Sequence, residues 1–392
     1  MSKELLRKAV SAAKNNSYAL IKYITANDTG STGAHQAGFH IHKNSWPVFF
    51  SSPGEKGSNK DKFIKIRWQD SFETDSRFIY YGKHTRSEYR LTRFGRGFPF
   101  LQDEHIGDLL ILIKITDQDY EAYVFSSDDD IDELLTYLNI PYPSVNGLLL
   151  QGRQATDENS LKKCFKQFID SLKVEFPSTT ELATSARQCS FVASGTTTEA
   201  VQRNPDEHLL AWLNAEFNLF KMLEEIRYNQ ILVKGFISIE QLIETANTIL
   251  NRRKSRAGRS LEHHLGAVFS CADLRFSAQP ITEDNKKPDF LFPDAESYYN
   301  SSFSASRLTM LAAKTTCKDR WRQILNEADR IRIKHLFTLQ QGISNNQLEE
   351  MYKYDVQLVV PASHLSSFPG KYKEKILTLK QFLAITREKQ LF

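Results

Sequence analysis

The pattern of hydrophobic residues changes once along this chain, near residue 205, and the change separates two kinds of fold. Before it, short alternating runs such as Phe63–Trp68 are typical of half-buried strands, with turn-forming residues between them. After it, helical spacing over Leu209–Ile226 precedes apolar strands that alternate with further helices. The 392 residues are enough for two or three domains. We therefore expect a multidomain protein in which an all-β barrel or sandwich is followed by α/β layers.

Two helices are expected to flank the strands of the first part. One covers residues 3–14, and the other begins after Ser127, a good N-cap residue. Three acids, Asp128–Asp130, fill the first turn of the second helix. Carboxylates there stabilise the helix dipole, which we favour over the alternative of a metal cluster.

A Ser- and Thr-rich stretch predicts the connection between the two parts. Residues 178–198 contain ten Ser or Thr among 21 and show little periodicity. We therefore divide the chain into a first domain at 1–175, a linker at 176–205 and a second domain at 206–392.

Charge and composition exclude several classes of protein. The net charge is only +4, so any binding of nucleic acid must depend on local basic patches. The longest apolar run, Leu109–Ile113, is far too short to span a membrane, and no secretory signal is visible. The four cysteines show no metal-binding spacing and are too few for a disulfide framework. We expect reduced thiols at positions 164, 189, 271 and 317 and a cytoplasmic location.

Acidic and basic residues near predicted strand ends point to phosphodiester chemistry. Asp289 opens one apolar strand, and Lys314 lies near the end of the next. Glu327 is expected on the following helix, and Glu262 on a helix that Ser260 can cap. Carboxylates that converge at strand ends hold a hard cation, which stabilises charge on a phosphate. A lysine beside them can orient the attacking water.

Two basic segments are candidates for DNA contacts, although solvated surfaces are the alternative for both. Asn251–Ser260 has five basic residues among ten and leads into an expected helix N-terminus, which suits phosphate contacts. Lys83–Arg96 interleaves basic and aromatic residues, with Glu88 as its one acid. Arginine can read guanine edges, and glutamate can accept from the cytosine amino group.

Several of these segments also carry a family resemblance. Together they resemble the EcoRII family of type IIE restriction endonucleases over nearly the full length of the chain. The matching runs are Thr25–Gly30 with Gly33–Gln36, Arg252–Gly258 with Ser260–Glu262, Asn285–Pro293 and Lys314–Asp329.

The resemblance implies an N-terminal effector domain, a DNA-binding pseudobarrel with flanking helices. It also implies a C-terminal α/β/α domain of the PD-(D/E)XK restriction-endonuclease fold. The activity it implies is Mg²⁺-dependent, double-strand cleavage of DNA at CC(A/T)GG-like sites by a homodimer. A second site bound to the effector domain is expected to activate the enzyme, and that domain restrains the catalytic one until then. A cognate DNA methyltransferase of the same restriction-modification system is expected to act on the same site.

The resemblance also assigns the catalytic residues. The positions that carry over are Asp289, Lys314 and Glu327, with Glu262 as a helper, and Asp289 and Glu327 as the metal ligands. Ala312 stands at the usual acidic position of the motif, and related enzymes with this swap take the acid from the later segment. Tyr298, nine residues after Asp289, matches a tyrosine near the active site of the family.

DNA-reading positions are assigned in both domains. Lys318, Asp319 and Arg320 match the segment that reads the CC:GG pairs. From the basic segment, the expected DNA contacts in the nuclease domain are Arg253, Lys254 and Arg256. In the effector domain they are His35, Arg86, Glu88 and Arg90.

Two other functions remain open at this point. One is a sequence-specific DNA-binding regulator with an inactive nuclease domain, for which Asp289→Ala would have no effect. The other is a modification-dependent nuclease, which would cut only methylated DNA.

Overall fold

The computed structural model describes residues 2–32, 38–69, 71–150 and 159–391. Its first part contains an eight-stranded sheet in the order β2-β5-β4-β3-β7-β6-β1-β8. The strands are β1 (Tyr18–Tyr23), β2 (Phe39–Ile41), β3 (Lys60–Trp68), β4 (Phe72–Tyr81), β5 (Glu88–Thr92), β6 (Leu109–Lys114), β7 (Asp119–Phe125) and β8 (Gly147–Leu150). The helices are α1 (Ser2–Asn15), α2 (Ala26–Thr29) and α3 (Asp128–Leu138).

Side-chain alternation explains how this sheet forms a core. In β3, Ile64, Ile66 and Trp68 are buried, whereas Lys65 and Arg67 point to solvent. The sheet is packed on both faces, because α1 and α3 cover the side opposite Trp68. The pairing of β3 with β7 is parallel and the other pairings are antiparallel. The expected all-β domain is therefore a mixed sheet with packed helices.

The second part is built on a six-stranded sheet in the order β14-β13-β12-β11-β10-β9. Its strands are β9 (Ser277–Ala278), β10 (Phe290–Phe292), β11 (Thr309–Lys314), β12 (Lys334–Thr338), β13 (Val356–Val360) and β14 (Leu377–Thr378). The helices are α4 (Asn159–Ser171), α5 (Thr179–Ser194), α6 (Thr198–Arg203), α7 (Pro205–Lys234), α8 (Ile239–Cys271), α9 (Ala295–Tyr299), α10 (Asn345–Lys353) and α11 (Leu379–Leu391). Hydrophobic cores on both faces of the sheet confirm α/β layers.

The stretch predicted as an irregular linker contains regular structure. Ser178 caps α5 by accepting a hydrogen bond from the Glu181 backbone N–H, and α5 packs against α4 and α7. A disulfide joins Cys164 to Cys189, so the expectation that all four cysteines are reduced is wrong. Small and polar residues here serve helix packing and capping instead of chain flexibility.

The basic segment before Glu262 also has a different structure from the one expected. It lies inside α8, a single helix of 33 residues, so it presents no helix N-terminus to a phosphate. Ser260 is buried and donates to Glu216 Oε2 at 2.8 Å instead of capping a helix. Although α7 and α8 are long enough to cross a bilayer, no described helix is also apolar enough to do so.

Candidate active site

Strand pairing places the first two predicted catalytic residues side by side. Asp289 immediately precedes β10, which runs antiparallel to β11. The Ala313 backbone N–H donates to Asp289 Oδ2 at 2.8 Å, and Lys314 Nζ lies 3.4 Å from the same oxygen. The carboxylate is therefore fixed by the neighbouring strand with a lysine ammonium beside it.

Glu262 approaches this pair from α8. Gln279 donates its side-chain amide to Glu262 Oε2 at 2.6 Å, while its backbone N–H donates to the Asp289 carbonyl at 2.9 Å. Burial, and then the negative charge of Asp289, raise the pKa of Glu262. Gln279, which the sequence did not single out, connects the two acids.

Glu327 joins the same electrostatic cluster, although not from a helix as expected. It follows a short 3₁₀ helix, Arg320–Asn326, and its backbone is extended. Burial, and then the charge of Asp289, raise the pKa of Glu327 to about 7. Its Oε2 atom is buried and has no hydrogen-bond partner among the described residues. Lys334 holds the adjoining backbone by donating to the carbonyls of Glu327 and Ala328 at 2.5 and 2.8 Å.

These oxygens have the chemistry that a hard divalent cation requires. Among the described residues, no three His, Cys, Asp or Glu side chains converge closely enough to hold a metal ion. Nevertheless, the unpaired Glu327 oxygen and the repulsion between Glu327 and Asp289 are what a bound cation would relieve. The carboxylate oxygens of Asp289 and Glu327 are thus of a kind that could hold a hard divalent cation.

The Tyr298 side chain makes its contacts with Glu283 and Arg330. Its hydroxyl donates to both Glu283 carboxylate oxygens at 2.6 and 2.7 Å, and its ring is fully buried. The Arg330 guanidinium lies over the Tyr298 ring and donates to the Tyr298 backbone carbonyl. Burial and the Glu283 carboxylate raise the pKa of the Tyr298 hydroxyl. The structure therefore gives this tyrosine a positioning contact with the segment that follows Glu327.

The predicted base-reading segment is covered by the N-terminal part of the chain. Lys318 Nζ donates to the buried Asp108 carboxylate and, at 3.2 Å, to the Glu104 carbonyl. The Asp128 carboxylate accepts from three successive backbone N–H groups, those of residues 318–320, at 2.8–3.3 Å. Arg320 forms ion pairs with Asp129 and Asp132 at 2.6 and 2.7 Å.

The predicted contacts on α8 are also occupied within the protein. Arg253 pairs with Glu224 and donates to the Thr136 carbonyl at 3.3 Å. Lys254 lies 3.2 Å from Glu133 of α3. Arg256 is held between the rings of Phe217 and Phe220, with its guanidinium 3.7 Å from the Glu216 carboxylate. Arg253 and Lys254 thus extend the surface that α3 covers.

In the predicted effector site, β5 carries two of the four residues, Glu88 and Arg90, which lie 3.5 Å apart. Arg86 precedes β5 and lies over the Tyr81 ring. Arg90 is 5% exposed and contacts the Gly38 carbonyl and the Asn27 side chain, so it connects α2 to the residue before β2. His35 lies outside the described residues.

The sequence analysis missed the role of the acids at the start of α3. Ser127 caps the helix as predicted, by accepting from the Asp130 N–H at 3.2 Å. Asp128, however, is buried against residues 318–320, about 190 positions away along the chain. No local signal could have shown this role, because the backbone N–H groups that satisfy the Asp128 carboxylate belong to a distant part of the sequence.

Comparison with known proteins shows the family. Residues 13–143 match the family profile described as restriction endonuclease EcoRII, N-terminal, and residues 220–383 match EcoRII C terminal. The chain is 37% identical to the type II restriction enzyme EcoRII of Escherichia coli over 95% of its own length and 94% of that protein. The chain belongs to the EcoRII family. It is accordingly a type II restriction enzyme, a nuclease that acts on DNA.

More distant relatives of this EcoRII-family enzyme cover it only in part. The type II restriction enzyme SsoII of Shigella sonnei is 28% identical over 35% of the chain and 47% of that protein. Metal-depleted Ecl18kI in complex with uncleaved DNA superposes with a TM-score of 0.45 at 19% identity, over 60% of this chain and 85% of that one. The PspGI–substrate DNA complex gives a TM-score of 0.44 at 15% identity, over 55% and 93%.

Proposed function

We propose that this enzyme is a cytoplasmic, Mg²⁺-dependent homodimer that cuts both strands of DNA at CC(A/T)GG-like sites. We further propose that its N-terminal pseudobarrel restrains cleavage until that domain binds a second site. The observation that carries the proposal is the cluster of Asp289, Lys314, Glu327 and Glu262 around the end of β10.

Each side chain of this cluster has a separate role in the proposed reaction. Asp289 and Glu327 would hold Mg²⁺, which supplies electrostatic stabilisation of the charge on the scissile phosphate. Lys314 is oriented by Asp289 and offers its ammonium to the attacking water and to a phosphate oxygen. Glu262, held by Gln279, takes the position of a further proton acceptor at the edge of the cluster. Tyr298 supports the backbone after Glu327 through Glu283, whose carboxylate is hydrogen-bonded by Asp329 N–H at 3.4 Å.

Base reading is assigned to the segment that α3 covers. In this proposal Lys318, Asp319 and Arg320 read the CC:GG pairs, with Arg253 and Lys254 contacting phosphates nearby. Arg256 is nearly enclosed by protein and instead supports the packing of α8 against α7. A homodimer supplies one cluster to each strand of the duplex.

Acidic side chains on the N-terminal part account for the restraint. Asp108, Asp128, Asp129 and Asp132 occupy the donors of residues 318–320 that DNA would otherwise use. Charge-assisted hydrogen bonds of this kind contribute about 1.5–3 kcal/mol each, so a second bound site must supply the energy to separate them.

We call residues 27–36, which include the predicted DNA contact His35, the effector loop, and a short path of hydrogen bonds links this loop to residues 318–320. Ser31 donates to Asp103 Oδ1 at 3.0 Å, and Asp103 accepts from the backbone and side-chain nitrogens of Asn345 at 3.0 and 2.6 Å. Two residues further along α10, Gln347 donates to the Lys318 carbonyl at 3.2 Å. Movement of the loop on DNA would therefore act on α10 and on Lys318 together.

A plasmid digest tests the proposed function. Plasmids with one and with two CC(A/T)GG sites are incubated with Mg²⁺ and the enzyme, its Asp289→Asn variant, or Asp284→Asn as a control on an exposed acid. We expect cleavage at those sites by the wild type and the control only, faster on two sites. Cleavage confined to methylated plasmid would favour a modification-dependent nuclease, and site binding without any cleavage would favour a regulator.

A further inference from the structure

The first third of α8 carries an apolar stripe whose first four members are exposed. Its members recur with the spacing i, i+3, i+4, i+7 and i+11, and they are Ile239, Leu242, Ile243, Ala246 and Leu250. The side chains of Ile239, Leu242 and Ile243 are 71%, 45% and 55% exposed. This spacing is typical of a helix that packs lengthwise against another helix.

The stripe ends where α8 begins to pack closely on its own chain. Beyond it, Arg252 contacts the Tyr228 hydroxyl, and Arg253, which lies seven residues after Ala246 and so on the same side of the helix, pairs with Glu224. The turn that joins α7 to α8 adds Leu232, Val233 and Ile237 to the exposed apolar surface. Of the sixteen exposed large hydrophobic residues in the described part of the chain, six lie within 232–243, and such a cluster is of the kind that marks an interaction surface.

We propose that this stripe packs against the same stripe of a second copy of the chain. The inference rests on the homodimer of the proposed function and names the surface that forms it. A twofold axis brings identical patches together, so the patch must be complementary to itself. An apolar helix face meets that condition, and Ala246 near its centre lets two helix axes approach closely.

The size and charge of the surface favour this partner. Residues 239–250 span about 18 Å of helix, enough for the apolar centre of an interface that buries about 800 Å² on each copy. Glu240 and Glu244 flank the stripe on its exposed side. These carboxylates repel a phosphate backbone, and membrane-surface helices carry Lys and Arg in such positions instead.

The dimer contact and the catalytic cluster share one helix. Glu262 lies sixteen residues beyond Ala246, which corresponds to about 24 Å along α8. Packing at the stripe would therefore set the distance between two clusters that each cut one strand.

The experiment compares full-length variants by sedimentation without DNA or metal. Leu242→Glu with Ile243→Glu places two charges in the stripe, and Asn247→Glu with Asn251→Glu places two on an exposed polar face of the same helix. We expect the wild type and the polar-face variant to be dimers. The stripe variant should be monomeric, its dimer Kd raised at least about 100-fold because unpaired carboxylates would be buried. Its melting temperature should match that of the control.

Cleavage then provides a second readout. With Mg²⁺ and a two-site plasmid, the stripe variant should nick one strand where the polar-face variant makes double-strand breaks. A dimeric stripe variant, or a monomeric wild type that binds vesicles of phosphatidylcholine and phosphatidylglycerol, would overturn the inference. A wild type that dimerises through the stripe but cuts no DNA would leave the inference intact and overturn the proposed function.

Discussion

Asp128 and Asp319 cap each other across the two parts of the chain. The Asp319 backbone N–H donates to the Asp128 carboxylate at 2.8 Å, and the Asp128 N–H donates to the Asp319 carboxylate at 3.1 Å. Burial raises the pKa of Asp128, and the charge of Asp319 adds to that effect. Two acids thus meet at an interface that basic side chains and backbone donors make favourable.

Removing the Asp128 carboxylate should relieve the proposed restraint on cleavage. We expect Asp128→Ala to increase cleavage of single-site plasmid about 10- to 100-fold, because three hydrogen bonds to the reading segment are lost. Two-site cleavage should change little. Asp130→Ala is the matched control, since the described residues give its carboxylate no contact with residues 318–320. Equal single-site rates for both variants would contradict the restraint proposed for α3.

Replacing Glu327 by Gln should separate activity from stability. Cleavage should fall at least about 1,000-fold, because a metal ligand is lost. The folded pKa of about 7 lies above the ordinary value of 4.5, so wild-type stability decreases as pH rises from about 4.5 to 7. Glutamine does not ionise, so the variant keeps the stability that the wild type loses as Glu327 ionises. It should therefore melt about 2–4 °C higher than the wild type at pH 8. Thermal scans at pH 5 and pH 8 measure the gap, which should be smaller at pH 5.

The same pKa makes metal binding dependent on pH. Below pH 7 the metal-free Glu327 carries a proton that a cation must displace. The apparent Kd for Mg²⁺ should therefore rise about fivefold between pH 7 and pH 6 and level off above pH 8. Calorimetry in two buffers of different ionisation enthalpy should detect about one proton released per ion at pH 6. Binding without proton release there would count against Glu327 as a ligand.

Asp103→Ala tests the path from the effector loop. The substitution removes the partner of Ser31 and of Asn345 together. The single-site rate should rise and the ratio of two-site to single-site rates should fall toward one. Glu104→Ala, at an exposed neighbouring position, should preserve the wild-type ratio. Time courses of plasmid cleavage measure the single-site rate and the ratio of the two rates.

The disulfide should stabilise the helices around the predicted linker. Cys164 and Cys189 are 25 positions apart, and closing a loop of that size contributes about 3 kcal/mol. Cys189→Ser and reduction of the wild type should each lower the melting temperature, and by the same number of degrees. Cys271→Ser is the control, because that thiol is free. If the reductant shifts the Cys189→Ser variant as much as the wild type, the bond does not form in solution.

Local patterns predicted much of the fold and part of the site. The alternation of apolar and polar residues in Phe63–Trp68 was sufficient to predict β3, because a half-buried strand can be identified from this period of two residues alone. Asp289 and Lys314 were identified from strand ends, and adjacent antiparallel pairing then brings them together. Glu327 was singled out from its position in the segment after Lys314, and the family resemblance then assigned it as a metal ligand.

Long-range contacts explain most of what the sequence did not predict. The apolar spacing of Trp321, Ile324 and Ala328 fits an α-helix as well as the shorter 3₁₀ helix, which ends at Asn326, two residues before Ala328 adopts φ +52°. Acids at the start of α3 look the same in sequence whether they face water or bind Lys318 and Arg320. Likewise, Ser260 resembles a cap until Glu216, 44 positions earlier, is placed beside it.

The continuity of α8 restricts how related chains can change in length. Adding one residue between Arg253 and Glu262 would turn everything beyond it by about 100° and shift it by about 1.5 Å. The part that meets Glu224 and α3 would then no longer be in phase with the part that carries the catalytic acid. Single insertions and deletions should be absent from this stretch in functional homologues, whereas the turn between α7 and α8 can tolerate them.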